Sequence, residues 1–210
     1  MLTLQKRKNT ETGEQHHRKI VFHPRKSVLL VIDMQQYFCH PSSHAFFKDA
    51  ITIIPRIHQL IAAYRQQSLP IIFTRYALLR TERPGAMGRW WNDILYDDDE
   101  MSGIITTLRP LPKEQIIRKT QYSAFFQTNL ETILQKQKVT TIVITGVLTH
   151  LCCETTARDA FMRNYDVFFV ADATASDSKK LHTASLRTLS DGFATLTSTQ
   201  EICTWIKKAR

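Results

Sequence analysis

Short apolar runs alternate along the chain with segments whose apolar residues recur at helical spacing. The apolar runs of strand length occupy residues 27–33, 70–75, 115–119, 140–147, 166–173 and 193–198. Helical spacing predicts helices over residues 48–67, 124–136, 151–164, 179–189 and 199–207. Such alternation is typical of a parallel sheet with helices on both faces. The predicted fold is therefore a three-layer α/β/α sandwich of the Rossmann-like class, built on a mainly parallel six-stranded sheet.

One long segment departs from this alternation. Residues 76–112 are polar and irregular, and they contain the pair Trp90 and Trp91. A long excursion in a compact domain is usually functional, as a lid or as the wall of a pocket. We therefore expect this segment to lie beside a binding site.

Composition adds limits to this picture. The 210 residues are 43% hydrophobic and 22% charged, which predicts a soluble globular protein with one domain over residues 27–210. No apolar run approaches the ~20 residues that span a bilayer, and no secretory leader is predicted. The cysteines are not spaced as in a zinc knuckle or a small disulfide scaffold, which favours a reducing, cytoplasmic location.

The net charge of +9 is concentrated at the N-terminus. Residues 1–26 contain two acidic residues, Glu11 and Glu14, against the basic set Lys6, Arg7, Lys8, Arg18, Lys19, Arg25 and Lys26. A basic tail can hold nucleic acid or an acidic membrane surface. This one lacks the interleaved aromatic residues of a single-strand binding groove. We predict a flexible, solvated tail and expect neither nucleic acid nor a membrane as a partner.

Reactive side chains stand where the predicted strands end. Asp33, Arg75, Lys119 and residues 146–152 all take such positions, and ligands of parallel sheets bind outside the carboxyl ends of strands. Cys152 follows a strand and a short turn and opens a helix, a position that stabilises a thiolate. Taken singly, each residue has an ordinary structural explanation, since buried cysteines are common as small hydrophobes. Together they predict one crevice with the groups that nucleophilic catalysis requires.

Four motifs in this order resemble those of the isochorismatase-like, or cysteine hydrolase, superfamily. They are LLVIDMQQYF (29–38), RKTQYSAFF (118–126), ITGVLTHLCCETTARDAFMR (144–163) and VFFVADATAS (167–176). The resemblance runs from about residue 27 to residue 203 and implies the isochorismatase-like hydrolase fold. It also implies a homo-oligomer, either a dimer or a tetramer, acting on a small molecule.

The resemblance implies roles for three side chains. Asp33 is the general base, Lys119 is the cation that orients the thiol and lowers its pKa, and Cys152 is the nucleophile. It further implies a cis peptide bond between Val147 and Leu148, with the backbone N–H groups of Leu148 and Cys152 forming an oxyanion hole. Cys153 fits the apolar stripe of the helix and is predicted to pack in the core. The implied reaction is cleavage of an amide or ureido C–N bond through a thioester on Cys152.

Two other branches of the superfamily, the isochorismatases and the nicotinamidases, are alternatives for the function. Isochorismatases cleave a vinyl ether without needing the cysteine, whereas this chain keeps Cys152 and has Tyr76 where their pocket glutamine aligns. Nicotinamidases usually carry an Asp-x-His metal motif after the second strand, where this chain has Thr-Arg-Tyr (74–76). His40 and His44 lie in a stretch unlike a helix, so no metal site is predicted. No glycine-rich nucleotide motif occurs, and no cofactor is expected.

The predicted substrate pocket is aromatic, which suits a planar or apolar small molecule. Its candidates are Gln35, Phe38, Tyr76, Trp90, Trp91, Tyr122 and Phe125. The two tryptophans fit an oligomer interface equally well. Arg75 and Arg89 are candidates for binding a substrate carboxylate. A further alternative is a non-catalytic binding protein on the same fold, in which the basic tail carries the function.

Overall fold

A computed structural model describes residues 20–208, and its centre is a six-stranded sheet in which all paired strands are parallel. The strands are β1 (Ser27–Ile32), β2 (Ile71–Tyr76), β3 (Gln115–Lys119), β4 (Thr141–Val147), β5 (Asp166–Ala175) and β6 (Thr195–Thr197). Their order in the sheet is β3-β2-β1-β4-β5-β6. The predicted six-stranded parallel α/β sheet is confirmed, and every strand overlaps its predicted run.

The helices are α1 (Gln36–Cys39), α2 (Lys48–Thr52), α3 (Ile54–Gln66), α4 (Gly85–Trp91), α5 (Leu130–Lys136), α6 (Glu154–Met162), α7 (Lys179–Gly192) and α8 (Thr199–Lys208). Short 3-10 turns lie at Pro24–Lys26, Glu100–Ser102 and Thr106–Leu108. A π-helical turn, Thr149–Cys153, leads from β4 into α6.

The core has two layers because successive strand residues point to opposite faces of the sheet. Leu29 and Val31 of β1 pack in one hydrophobic cluster with residues of α3 and α8. Leu30 and Ile32 pack in a second cluster with residues of α5, α6 and α7. Both faces are therefore covered by helices, and this gives the predicted three-layer sandwich.

The order of the strands reverses between β1 and β4. The chain proceeds outward from β1 through β2 to β3, returns to β4 on the other side of β1, and continues to β5 and β6. Gly146 of β4 pairs with Ile32 of β1 at this point and has a φ of +108°. A Cβ atom there would lie 2.0 Å from the carbonyl oxygen of Ile32, so only glycine fits. The helices that follow β1 and β4 cover opposite faces of the sheet, so a crevice opens at the carboxyl ends of these two strands.

The predicted helices differ from the observed ones at two places. The helix predicted over 48–67 is divided into α2 and α3 at Ile53, two residues before Pro55, because proline lacks an N–H and disfavours helical backbone before it. The helix predicted from residue 124 begins only at Leu130. The segment before it is held by tertiary bonds instead, among them the Ala124 N–H donating to Thr156 Oγ1 at 3.0 Å.

The predicted tail reaches into the packed structure. Residues 1–19 lie outside the described residues. Phe22, which falls inside the predicted flexible tail, packs against Phe168 and Trp205 with ring centroids 5.1 and 5.5 Å apart. The packed part of the chain therefore begins before residue 27. None of the helices between residues 20 and 208 has the length and apolar character needed to cross a membrane.

Candidate active site

Asp33 follows β1 at the crevice and is fully buried. Its backbone has a left-handed φ of +50°, which aspartate tolerates better than most residues. One carboxylate oxygen, Oδ1, accepts a hydrogen bond of 2.6 Å from Thr74 Oγ1 at the end of β2. The other, Oδ2, lies 2.7 Å from Lys119 Nζ but accepts no hydrogen bond of ordinary geometry from the described residues. The second oxygen therefore faces the ammonium of Lys119, and Asp33 is also close enough to the Cys152 thiol to raise its pKa.

Lys119 ends β3, and its side chain is entirely buried. Its ammonium donates to the Gln121 carbonyl oxygen at 3.0 Å and to Cys152 Sγ at 3.2 Å, and it pairs with Asp33. Burial by itself lowers the pKa of Lys119, but Asp33 and Cys152 more than offset this, and the net pKa is raised. Lys119 is therefore a permanent cation that joins the carboxylate to the sulfur.

Cys152 lies in the π-helical turn and is 6% exposed. Burial raises the pKa of its thiol to about 12; the Lys119 charge opposes this shift, and Asp33 adds to it. The predicted effect of Lys119 thus has the expected direction, but burial outweighs it, so the sulfur is protonated at neutral pH. The adjacent Cys153 is fully buried in the core cluster.

The turn that carries Cys152 is held from two sides. The peptide bond between Val147 and Leu148 is cis. Thr149 Oγ1 is bonded to His182 Nδ1 of α7 at 2.9 Å, and His150 Nδ1 is bonded to Ser176 Oγ after β5 at 2.8 Å. These contacts tie the turn to α7 and to the end of β5.

Two of the predicted pocket residues, Gln35 and Tyr76, lie at the crevice. Gln35 is fully buried and donates to the carbonyl oxygens of Tyr76 and Ser102 at 2.9 and 2.8 Å, while its own oxygen accepts from the Tyr76 N–H at 2.8 Å. Both of its donors are used within the protein, so it joins the strand ends and has none left for a substrate. Tyr76 is 8% exposed, and its ring centroid lies 5.8 Å from Lys119 Nζ.

Two other pocket candidates belong to the core instead. Phe38 is buried in the cluster beneath α3. Phe125 is 5% exposed, lies 6.0 Å from the Tyr165 ring in a stacked arrangement, and is covered by Arg163. Both side chains are enclosed by packing, which alternation along the sequence does not distinguish from a pocket wall.

The two tryptophans of α4 lie in different surroundings. Trp91 donates from Nε1 to the hydroxyl of Tyr122 at 2.8 Å, and Tyr122 packs beside Tyr76. Trp90 is 79% exposed. The structure therefore brings Trp91 and Tyr122 towards the crevice but leaves Trp90 at the surface.

Most of the arginine and histidine candidates bond to other side chains of the protein. Arg75 pairs with Asp97 at 2.5 Å, so it is not free for a substrate carboxylate. Arg89 lies exposed on α4. His40 is bonded to Ser42 at 2.7 Å, and His44 to Asp93 at 2.7 Å. Among residues 20–208, no three His, Cys, Asp or Glu side chains converge into a group that could hold a metal ion.

Sequence reasoning missed two contributors to this region. Thr74 is a polar residue that follows three apolar ones in β2, and its burial beside Asp33 could have been suspected from that position. Asp93 contacts Tyr37 and His44, which are far from it in sequence, and no spacing signals such a contact.

Comparison with known proteins shows similarity across the whole sheet. The family model described as Isochorismatase domain matches residues 27–201. Nicotinamidase 3 of Arabidopsis thaliana is 37% identical over 173 residues, covering 81% of this chain and 83% of that protein. Enterobactin synthase component B of Escherichia coli (strain K12) is 31% identical over 186 residues, covering 86% of this chain but 64% of that protein. The crystal structure of a cysteine hydrolase from Pseudomonas syringae pv. phaseolicola 1448A superimposes with a TM-score of 0.88 at 29% identity, covering 91% of this chain and 97% of that one.

Proposed function

The chain belongs to the isochorismatase family of hydrolases, and from the geometry of its site we propose that it cleaves a C–N bond of a small amide or ureide through a covalent intermediate on Cys152. The single observation that carries this proposal is the buried chain of contacts at the crevice. Asp33 Oδ2 lies 2.7 Å from Lys119 Nζ, and Lys119 Nζ lies 3.2 Å from Cys152 Sγ. A base, a cation and a nucleophile at these distances form the arrangement that covalent catalysis requires.

The first half of the reaction forms a thioester. Because the pKa of the Cys152 thiol is about 12, the thiol must lose its proton to a base as it attacks. Asp33 takes this proton, and the charge of Lys119 stabilises the sulfur anion. The sulfur attacks the carbonyl carbon, and a tetrahedral oxyanion forms. When the C–N bond breaks, Asp33 returns the proton to the leaving nitrogen, and ammonia or an amine departs.

The second half releases the acid. Asp33 takes a proton from a water molecule that attacks the thioester carbon. The C–S bond breaks, the proton returns to the sulfur, and the products are a carboxylic acid and the original thiol. The same three side chains serve both halves of the reaction, and in each half Asp33 takes a proton and then returns it.

We assign stabilisation of the oxyanion to the backbone N–H groups of Leu148 and Cys152. Both residues lie in the turn that is tied to α7 and β5 through Thr149 and His150. Fixed donors aimed at a developing charge are worth about 3 kcal/mol each in comparable hydrolases.

The neighbours of the sulfur support a small amide as the substrate. Tyr76, Trp91 and Tyr122 form an aromatic wall near Lys119. The relative named Nicotinamidase 3 supports an amide substrate. The exposure of Trp90 supports a contact between subunits of a homo-oligomer for this residue, in preference to a place in the pocket.

The decisive experiment compares Cys152→Ala with Cys153→Ala. Purified proteins are screened against amides, ureas, carbamates and isochorismate, with ammonia release as the readout for C–N cleavage. We expect Cys152→Ala to lose turnover by about a thousandfold or more while remaining folded. The matched variant Cys153→Ala removes a buried sulfur one position away and should keep most of the activity.

Each other outcome points to a different function. Full ammonia release by Cys152→Ala would contradict covalent catalysis, whereas consumption of isochorismate without ammonia release, retained in Cys152→Ala, would favour acid-catalysed cleavage of a vinyl ether. If none of these substrates is turned over, and the wild type binds DNA in a salt-dependent manner, the non-catalytic alternative is favoured.

A further inference from the structure

A cavity of about 330 Å³ lies against the small hydrophobic cluster that contains Tyr76. It is lined by Tyr37, Ser42, Ser43, His44, Asp93, Ile94, Leu95, Asp99, Glu100 and Met101. We call it the Asp93 cavity. Its volume suits a group of several heavy atoms, and its lining is mainly polar, with Ile94, Leu95 and Met101 as its apolar part.

The polar centre of the Asp93 cavity is a carboxylate with two partners. Asp93 Oδ2 accepts hydrogen bonds from the Tyr37 hydroxyl and from His44 Nε2. Burial by itself raises the pKa of Asp93, but these two hydrogen bonds more than offset it, and the net pKa is lowered. The carboxylate is therefore ionised at neutral pH. It is also 34% exposed, so a ligand can reach it.

Tyr76 connects this cavity to the reacting sulfur. It packs in one cluster with Leu95, which lines the cavity, and Tyr37 packs against the same cluster. Tyr76 also lies within electrostatic range of both Cys152 and Asp93. Through Tyr76, the residues that line the cavity are therefore neighbours of the triad.

The phenol of Tyr76 adds no charge next to the cavity. The residue is 8% exposed, and burial raises its pKa to about 12, with Lys119 acting against the shift. The hydroxyl therefore keeps its proton at neutral pH, and the charge of the cavity comes from its acidic lining.

We propose that the Asp93 cavity receives the part of the substrate beyond the scissile bond and selects small amides that carry a cationic or hydrogen-bond-donating group there. This inference rests on the proposed hydrolase function and names its substrate class. The charges of the lining support it, since Asp93, Asp99 and Glu100 are acidic and none of the described residues that line the cavity is Lys or Arg. Arg80 lies 3.5 Å from Asp99 and offsets that charge, which leaves Asp93 as the principal selector.

The charges of the triad do not oppose the preference for a cationic group. Asp33 and Lys119 compensate each other, and the resting thiol is neutral. Arg75 of β2 is paired with Asp97, and Arg118 of β3 is paired with Glu82. A dianionic substrate such as isochorismate would therefore meet uncompensated negative charge, which costs free energy.

The first test measures the selection without any turnover. Cys152 is modified by a cationic reagent, 2-aminoethyl methanethiosulfonate, and by its anionic counterpart, 2-sulfonatoethyl methanethiosulfonate, at low ionic strength, and the modified cysteine is identified by peptide mass spectrometry. We expect the cationic reagent to react faster at Cys152. The ratio of the two rates should fall about fivefold in Asp93→Asn, because the variant keeps the shape and loses the charge.

A matched control is Asp191→Asn, which removes an exposed acidic charge at the end of α7 and should leave the ratio unchanged. An equal ratio in the wild type and Asp93→Asn would overturn the inference. Failure of both reagents to reach Cys152 would overturn it as well, because the cavity would then give no access.

The second test uses substrates and separates this inference from the proposed function. Amides that differ only in a cationic, neutral or anionic distal group are compared by kcat/KM in the wild type and in Asp93→Asn. Hydrolysis without a charge preference would contradict the role of the cavity and leave the hydrolase intact. Absence of amide hydrolysis, with a rate ratio that still responds to Asp93, would contradict the proposed reaction and leave the cavity assignment standing.

Discussion

The two oxygens of Asp33 have different surroundings, and this difference suits a general base. Oδ1 is held by the Thr74 hydroxyl at 2.6 Å, while Oδ2 faces Lys119 and the sulfur. The first contact orients the carboxylate, and the second oxygen is left on the side of the ammonium and the thiol, where our mechanism requires the base. Thr74 is therefore a positioning residue that acts through Asp33.

Replacing Thr74 by valine tests this role. Thr74→Val keeps the volume and removes the hydroxyl, so the carboxylate loses a hydrogen bond that stabilises its charged form. We expect kcat/KM to fall about tenfold or more, as measured by steady-state kinetics, and Thr74→Ser, which keeps the hydroxyl, to retain most of the activity. An equal loss in Thr74→Ser would contradict a role of the hydroxyl.

Thr141→Val is the matched control for this substitution. Thr141 begins β4, is fully buried, and has a hydroxyl without a hydrogen-bond partner in the described structure. Removing that hydroxyl should leave the kinetics unchanged and raise the free energy of unfolding by about 1 kcal/mol. Equal kinetic effects of the two variants would contradict the role of Thr74.

At the residue level, sequence reasoning reached the side chains that have motifs and missed the contacts that packing decides. Asp33, Lys119 and Cys152 could be named because each ends a strand or follows one, and the structure brings them together. Gln35 and Phe125 were expected in the pocket. The amide of Gln35 instead bonds to main-chain carbonyl groups, and the ring of Phe125 packs in the core. Those outcomes depend on neighbours distant in sequence.

Among the elements, the strands were more predictable than the helices. A buried strand has an apolar run that little else imitates, and all six runs became strands. Helical periodicity was a weaker guide, because Pro55 divided one predicted helix and tertiary hydrogen bonds replaced the beginning of another. The π-helical turn before α6 has no periodic pattern at all, although it carries the nucleophile.

The junction of β1 and β4 gives a sharp test at the level of elements. Gly146→Ala places a methyl group 2.0 Å from the Ile32 carbonyl oxygen on a backbone with a φ of +108°. We expect the free energy of unfolding to fall by more than about 3 kcal/mol, because the two central strands must separate or bend. Chemical denaturation followed by tryptophan fluorescence measures the change.

The comparison variant is Gly192→Ala, at the end of α7. A Cβ atom there meets nothing within 4 Å, so the free energy of unfolding should change by less than about 1 kcal/mol. If Gly146→Ala were as stable as this variant, the close approach of β1 and β4 would not exist in solution.

For the whole molecule, sequence predicted the layers but not the boundary of the packed structure. Alternating strands and helices require a sandwich, and the two hydrophobic clusters on the faces of the sheet fulfil that requirement. The N-terminal boundary was predicted from charge alone, since basic residues continue as far as Lys26. Charge does not reveal that Phe22, inside the basic segment, contacts Phe168 and Trp205. Phe22 ends a run of only three apolar residues, which is too short for its periodicity to indicate an element.

The contribution of this segment to the stability of the whole molecule can be measured with two neighbouring substitutions. Phe22→Ala removes the ring that packs between β5 and α8, and we expect the free energy of unfolding to fall by about 2 kcal/mol, less than for a fully enclosed phenylalanine because Phe22 is half-buried. Val21→Ala changes a side chain that is 65% exposed and should alter the same quantity by less than about 0.5 kcal/mol. Denaturant unfolding of both variants supplies the measurement. If the two changes were equal, Phe22 would add nothing to the core, and the packed chain would begin at residue 27, as its charge pattern predicts.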